Sequence, residues 1–198
     1  MRRNLDFINR ITDYRISRFA IGEEQMKQFR GMRPQDLAIL LKIACLKGVH
    51  WRTTDLSAQL YISQSEISQA LYSNWQAGLL DDSKRVVHRR SLLEFLFHGV
   101  KYVYHQRPGP ITRGMPTAHS APPLSDLIRS DSNIYVWPDE YGTTRGETIE
   151  PLYPTIPKAA KADRAYYELL ALVDAIRVGK TREYKIASDE LEKRILEQ

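Results

Sequence analysis

The chain has 198 residues, of which 42% are hydrophobic and 27% are charged, so it is long enough for one or two folded domains with a hydrophobic core. No segment approaches the roughly 18 consecutive apolar residues that a membrane-spanning helix needs, and the single cysteine, Cys45, excludes an internal disulfide. We therefore expect a cytoplasmic protein that does not associate with membranes.

The formal net charge of +5 is distributed unevenly along the chain. Residues 1–124 contain 18 Lys and Arg against 10 Asp and Glu, a net of +8, whereas residues 125–198 contain 11 against 14, a net of −3. Because neutralisation of phosphates supplies most nonspecific affinity for DNA, the charge of the first part favours a nucleic-acid partner. The plainer alternative is an ordinary basic protein.

The first 31 residues predict a helical arm, because Leu5, Ile8, Ile11 and Phe19 form an imperfect apolar face among several arginines. Such an arm could contact DNA, mediate dimerisation or remain poorly ordered. Met32 directly precedes the next predicted helix, so a natural start at that residue is a further alternative.

Three helices are predicted in close succession after the arm. Residues 34–47 begin with Pro34 at a first helical position, carry apolar residues at helical spacing and end before a glycine. Residues 53–60 predict a second helix. The third begins after Ser63, which forms a Ser-x-x-Glu capping box with Glu66.

The third helix is polar on one side and apolar on the other. Its inward positions, Ile67 and Leu71, lie four residues apart and should pack on the preceding helix. Its outward positions are short polar side chains that can hydrogen-bond base edges: Gln64, Ser65, Ser68 and Gln69. This arrangement is typical of a DNA-reading helix-turn-helix.

From residue 56 to residue 71 the chain reads LSAQLYISQSEISQAL, which resembles the pattern L-A-x-x-L-G-(V/I)-S-x-S-x-(V/I)-S-x-x-L of bacterial winged helix-turn-helix regulators of the MarR-like kind. Two positions depart from it. Ser57 replaces the usual Ala, and Tyr61 replaces the glycine of the turn, where a left-handed backbone costs a non-glycine residue about 1 kcal/mol. The resemblance covers about residues 33–104 and implies a winged-helix fold that binds DNA.

A short two-stranded wing is expected to follow the third helix. Gly78 should end that helix, as in the x-A-G-L exit from a recognition helix. Residues 79–80 and 85–87 can then pair around a turn at 81–84.

The expected DNA contacts divide by role. The outward residues of the third helix face the major groove, where Gln can bond adenine through two hydrogen bonds. Ser63 stands at the start of that helix. The other candidates are phosphate contacts before the second helix and basic residues on or beside the wing, each with the alternative of an ordinary surface residue: Arg52, Thr53, Thr54, Lys84, Arg85, Arg89 and Arg90.

Residues 91–105 predict a fourth helix, opened by a capping box between Ser91 and Glu94. The run is apolar on nearly every side, so the C-terminal region or a second subunit should cover both of its faces. His98 lies inside the run and favours the interpretation of a core histidine over that of a ligand.

Residues 105–161 predict an extended segment, because nine of the ten prolines lie after residue 107. A short strand is expected at 134–137. The segment also contains a second candidate site, for a small anionic effector, a domain interface or DNA: Arg107, Arg113, Thr117 and His119. The alternative is a connector that packs over the fourth helix. Two helices, about 163–178 and 181–196, should end the chain as an effector or dimerisation hairpin.

Signals for catalysis are weak. Gly179-Lys180-Thr181 is similar to the end of a phosphate-binding loop, but Asp174 occupies the place of its first glycine. Arg113 and His119 match the spacing of the HEPN ribonuclease motif, which operates on a helix that the nearby glycine and proline exclude. There is no HExxH motif and no cysteine pair for zinc. We therefore expect no enzymatic activity, no metal and no cofactor.

These patterns predict a mainly α fold: a helical arm (1–31), a winged helix-turn-helix domain with a small β-wing (32–104), an extended Pro-rich segment (105–161) and a helical C-terminal hairpin (162–198). The predicted function is sequence-specific binding of double-stranded DNA by a homodimeric transcriptional regulator that occupies an operator. The alternative is a winged helix that binds a protein partner, as the antitoxin or scaffold of a toxin–antitoxin or defence complex.

Overall fold

Helices dominate the architecture, and a three-stranded sheet interrupts them. The structure is a computed structural model and describes residues 31–128 and 133–196. In chain order its helices are α1 (Pro34–Cys45), α2 (Thr53–Leu60), α3 (Gln64–Gln76), α4 (Arg89–His98), α5 (Val100–Val103), α6 (Leu124–Leu127), α7 (Ile156–Ala162), α8 (Arg164–Val178) and α9 (Thr181–Leu196). The strands are β1 (Ile111–Pro116), β2 (Tyr135–Pro138) and β3 (Thr144–Thr148), and a 3-10 turn spans Ala118–Ser120.

The described residues from Met32 onwards belong to one compact unit. The predicted N-terminal arm lies outside the described residues, apart from Gly31. No helix in the described ranges is both long enough and apolar enough to cross a membrane.

Helix α1 is the central helix of the larger unit. It begins at Pro34, as predicted, and Asp36 accepts the backbone N–H of Arg33 at 2.9 Å. Leucines and isoleucines all around its circumference are buried, because α3 packs on one part of its surface and α8 on another. Helix α1 thus has no exposed polar face, because α3 from the first part of the unit and α8 from the last part both pack on it.

The predicted boundaries of α2 and α3 are confirmed. Tyr61 ends α2 in the left-handed region, with φ 58° and ψ 40°, in place of the glycine that such a turn favours. The Ser63 hydroxyl accepts the Glu66 N–H at 3.2 Å, and the Glu66 carboxylate accepts the Ser63 N–H at 3.4 Å, which completes the predicted capping box.

The end of α3 is also as predicted. Gly78 has φ 72°, its N–H donates to the Trp75 carbonyl, and the Leu79 N–H donates to the Asn74 carbonyl, both at 2.9 Å. These two bonds form a Schellman motif, in which a glycine satisfies the last carbonyls of a helix.

The predicted pairing after α3 is confirmed, although it is short. Leu80 and Val87 form a single antiparallel bridge, and the Asp81 N–H donates to the Val86 carbonyl at 3.0 Å. The Asp81 carboxylate accepts a hydrogen bond from the Ser83 hydroxyl and from two backbone N–H groups of the turn. These bonds lower the pKa of Asp81 from 3.8 to about 2. Residues 79–88 are called the hairpin below.

The fourth predicted helix differs from expectation in three respects. It begins at Arg89, so Ser91 lies within its first turn and the predicted capping box is absent. His98 is exposed, so the interpretation as a core histidine was wrong. The predicted covering of both faces of this helix is also incomplete. The short helix α5 follows a break at Gly99, and its side chains Tyr102 and Val103 are 76% and 58% exposed.

Residues 105–161 are not the extended loop that the prolines predicted. β1 pairs antiparallel with both β2 and β3, and β2 pairs parallel with β3, so the three strands close into a small barrel. The prolines fit because they stand where no N–H is needed: Pro116 and Pro138 end their strands, and Pro157 lies in the first turn of α7.

The barrel has no space for side chains where its strands meet. A Cβ added to Gly142 would lie 2.3 Å from the Gly114 carbonyl carbon, and one added to Gly114 would lie 1.9 Å from the Trp137 carbonyl oxygen. Three strands can therefore close on one another only because glycine occupies both positions.

The two C-terminal helices are confirmed, with α8 and α9 meeting around Gly179. A buried polar group joins α8 to the barrel region. The Asp174 carboxylate accepts hydrogen bonds from the Thr117 hydroxyl at 2.8 Å, from Trp137 Nε1 at 2.6 Å and from Arg177 Nη1 at 2.6 Å. Arg177 Nε also donates to the Tyr104 carbonyl at 2.8 Å. The buried carboxylate is thus fully hydrogen-bonded, as burial of a charge requires.

Candidate nucleic-acid interface

Helix α3 presents the polar surface that the sequence predicted. Gln64, Ser65, Ser68 and Gln69 are all exposed, whereas Ile67 on the opposite side is buried. The outward side chains are held loosely by one another: the Ser68 hydroxyl donates to the Gln64 carbonyl at 2.9 Å, and Gln69 Nε2 donates to Ser65 Oγ at 3.4 Å. Their remaining hydrogen-bonding capacity faces solvent.

A buried asparagine that sequence reasoning missed fixes α3 on the rest of the unit. Asn74 Nδ2 donates to the Asp36 carbonyl of α1 and to the Ala70 carbonyl, each at 2.9 Å. The side chain is fully buried. The available sequence signal was a polar residue at a position that helical periodicity assigns to the apolar side of α3. Buried amides are retained at such positions where they satisfy backbone groups.

The start of α2 offers a second part of the surface. The Asp55 carboxylate accepts the Arg52 N–H at 2.8 Å. The Arg52 side chain and Thr54 are exposed, and Thr53 is half-buried. Free backbone N–H groups at a helix N-terminus attract anions, so a role for these residues as phosphate contacts stays a prediction.

The basic residues on and after the hairpin do not share one environment. Lys84 Nζ lies 5.0 Å from the ring centroids of both Tyr72 and Trp75, beside the C-terminal half of α3. Arg85 donates to the Trp51 carbonyl at 2.9 Å and stacks over the Trp51 ring. Lys84 therefore flanks α3, whereas the Arg85 guanidinium fastens the hairpin to the segment before α2.

The last two basic residues predicted to contact DNA, Arg89 and Arg90, lie in different environments. Arg90 is exposed. Arg89 is half-buried and its guanidinium donates to the Ile195 carbonyl near the end of α9, so its expected role at DNA is replaced by a structural one. Cations commonly satisfy the free carbonyls at a helix C-terminus.

A segment that the sequence did not assign to this surface reaches the turn between α2 and α3. The Thr155 hydroxyl donates to the Leu60 carbonyl at 2.6 Å, and Lys158 Nζ lies 3.8 Å from the centroid of the Tyr61 ring. Burial raises the pKa of the Tyr153 hydroxyl, and the nearby Glu66 carboxylate raises it further. Residues 153–158 therefore lie beside the N-terminus of α3. No sequence signal links them to a turn more than 90 residues away.

The four residues of the second candidate site lie in two different environments. Arg107 and Arg113 are exposed, with Arg113 on β1, whereas Thr117 and His119 are buried. The Thr117 hydroxyl is bonded to Asp174, and His119 Nε2 lies 3.0 Å from the Asn133 carbonyl. The residues predicted as a possible effector or interface loop are therefore not brought together at one point, because strand β1 and the 3-10 turn direct them to different surroundings.

An open cleft of about 610 Å³ lies between α2 and the junction of α7 with α8. An ion pair between the buried Lys42 and the half-buried Asp163 lines it, with Lys42 Nζ 2.7 Å from Asp163 Oδ2. Burial opposes ionisation of Asp163, but hydrogen bonds from Lys42 and from the Tyr166 N–H lower its pKa overall. Because these two charges are already paired with each other, neither is free to bind a ligand.

Within 31–128 and 133–196, no three His, Cys, Asp or Glu side chains are grouped as metal ligands. Cys45 is half-buried against the core, and burial raises the pKa of its thiol to about 12. A thiol with that pKa is a poor nucleophile at neutral pH.

No protein-family model, curated protein or solved structure gives a significant match to this chain.

Proposed function

We propose that the protein is a sequence-specific DNA-binding regulator of the winged helix-turn-helix type. The observation that carries the proposal is the face of α3, where Gln64, Ser65, Ser68 and Gln69 stand exposed on a helix whose other face is buried. Amide side chains on a rigid, capped helix are suited to reading base edges in the major groove. The three helices and the hairpin follow one another in the order that such a domain requires.

In this proposal α3 enters the major groove with its N-terminal residues foremost. Arg52, Thr54 and the free N–H groups at the start of α2 bind phosphates on one side, and Lys84 and Arg90 bind phosphates near the hairpin. Since α3 itself carries only Glu66 as a charged residue, its base contacts contribute specificity, whereas the surrounding cations contribute salt-dependent affinity.

We further propose that the regulator acts as a homodimer that occupies an operator in the cytoplasm. The exposed Tyr102 and Val103 on α5 supply an apolar surface for a second copy. Two recognition helices on paired half-sites would double the number of base contacts.

Selection of bound DNA from a random pool tests the main proposal, with affinities then measured on the selected site and on a scrambled one. We expect the wild-type protein to select a defined motif. A Gln64→Ala/Gln69→Ala variant should lose roughly 5-fold to 100-fold in affinity for that motif, since a bidentate base contact contributes about 1–3 kcal/mol of discrimination. Gln59→Ala, an exposed glutamine on α2, is the matched control and should bind like wild type.

A second function, binding to a protein partner, is favoured by the same exposed α5 residues. A Tyr102→Ser/Val103→Ser variant changes α5 and leaves α3 intact, so it distinguishes the self-association surface from the DNA-binding surface. Loss of self-association in sedimentation, with DNA contacts retained on a single half-site, would support the dimeric regulator. Weak binding of wild type to every DNA sequence, unchanged by the glutamine substitutions, would remove specific readout and favour the protein-interaction function.

A further inference from the structure

The recognition surface of α3 lacks its own positive charge. Among the residues of this helix, Glu66 in the first turn is the only ionisable side chain of either sign besides a tyrosine. DNA nevertheless carries phosphates along both walls of the major groove, so cations that flank the helix must come from other elements.

At the N-terminal end of α3 the flanking cation is Lys158 of α7. Its Nζ lies 3.8 Å from the Tyr61 ring centroid, which holds the ammonium group beside the turn that precedes α3. The Thr155 hydroxyl fastens the start of the same segment to the Leu60 carbonyl. Lys158 is exposed, and no carboxylate of the described residues lies within ion-pair distance of it.

At the C-terminal end the flanking cation is Lys84 of the hairpin, which is held over Tyr72 and Trp75 in the same manner. It also has no ion-pair partner in the part of the chain that the structure describes. Two unpaired lysines, each placed by an aromatic ring, thus stand at opposite ends of one uncharged helical face.

The two lysines lie beside opposite ends of α3, along its length. From Ser63 to Tyr72 the axis of α3 rises about 14 Å, at about 1.5 Å per residue. Phosphate backbones border both sides of the major groove, so each lysine is offered to a phosphate near its own end of the helix.

We propose that Lys158 is a DNA phosphate contact, which acts together with Lys84 at the two ends of α3 and makes the C-terminal half of the chain part of the DNA interface. The inference rests on the proposed function and extends it, because α7 follows the barrel and is almost 100 residues from the turn it flanks. The bound group is a backbone phosphate, so Lys158 contributes affinity without sequence preference.

The test is the salt dependence of DNA affinity on the selected site and on a scrambled site of the same length. Lys158→Gln should flatten the slope of log Kd against log salt concentration by about one, equally on both sequences, and Lys84→Gln should do the same. The double variant should flatten it by about two. Lys158→Arg keeps the charge and should restore the wild-type slope.

Lys161→Gln is the matched control. Lys161 lies on the same helix one turn later, but its ammonium pairs with Asp139, so the slope should not change. Thermal unfolding of each variant checks that the folded state is retained.

The outcomes separate this inference from the proposed function. If the glutamine substitutions abolish the sequence preference but Lys158→Gln has the wild-type slope, the function stands and the Lys158 contact is refuted. If wild type shows no sequence preference but Lys158→Gln still flattens the slope, specific readout fails and the phosphate contact stands. Tighter binding by Lys158→Gln would show that residues 153–158 obstruct DNA, which overturns the inference.

Discussion

The α2–turn–α3 segment and the three-stranded barrel are stabilised by contacts of different range. In the segment, the Ser63–Glu66 capping box and the bond from the Ser57 hydroxyl to the Ile62 carbonyl, at 2.6 Å, join residues three and five apart. In the barrel, β1 pairs with β2 and β3 across 20 residues or more, and Trp137 Nε1 reaches Asp174 on α8. Local bonds can be replaced by water or by a neighbouring group when one is lost, whereas a buried long-range network has no substitute.

This difference leads us to expect larger losses of stability from single changes in the barrel and its support than from changes around α3. Four predictions follow in order of size, and all use urea unfolding or thermal unfolding of the full chain. A reversal of that order would contradict the comparison.

Asp174→Ala should have the largest effect. The change leaves the buried Arg177 guanidinium without its carboxylate and removes the acceptor for Thr117 and Trp137. Removal of one partner of a buried ion pair costs about 3–5 kcal/mol. Asp189→Ala, on the exposed side of α9, is the control and should change the free energy of unfolding by less than about 0.5 kcal/mol. A loss below about 1 kcal/mol for Asp174→Ala would show that the network is dispensable.

Gly142→Ala should be the next largest. The added methyl would meet the backbone of Gly114 at 2.3 Å, and backbone cannot move aside as a flexible side chain can. Forcing extra volume into a packed region costs about 1–3 kcal/mol or more. Gly109→Ala is matched to it, because a Cβ there would meet Thr148 at an ordinary 3.5 Å. Equal stability of the two variants would mean that the strands close less tightly than the structure shows.

Asn74→Ala should destabilise by about 1–3 kcal/mol, since it leaves the buried Asp36 carbonyl without its side-chain donor. We expect DNA affinity to fall as well, because the substitution releases α3 from α1. Gln76→Ala removes an exposed amide from the same helix and should be near neutral in unfolding measurements. Full retention of stability in Asn74→Ala would indicate that apolar packing alone positions α3.

Asp81 should give the smallest effect, and that effect should depend on pH. Its hydrogen bonds with Ser83, Arg85 and Val86 lower its pKa from 3.8 to about 2. A depressed folded-state pKa contributes stability above pH 4, and this contribution is lost as the pH falls from about 4 to 2. The melting temperature of wild type should therefore exceed that of Asp81→Asn at pH 6, and the two should converge near pH 2. A difference that is constant with pH would exclude this cause.

Much of the first part of the fold was predictable because its signals are local. Proline at the start of α1, the Ser63–Glu66 box and Gly78 each act on backbone groups within one helical turn, and all three boundaries are confirmed. Even the unfavourable feature, Tyr61 in a left-handed turn, was visible as a departure from a pattern, and it is what places an aromatic ring beside Lys158.

The sequence by itself thus determined α1, α2, α3 and the two C-terminal helices, together with the polar face of α3, since hydrogen bonds among near neighbours and apolar periodicity encode them. The tertiary structure decided the barrel, the burial of Thr117 and His119, and the partners of Arg89 and Lys158. Those features depend on surfaces brought together from distant positions: Arg89 meets Ile195 and Lys158 meets Tyr61. Prolines predict a break in local structure wherever they occur, but only packing determines whether the break ends a strand or opens a loop.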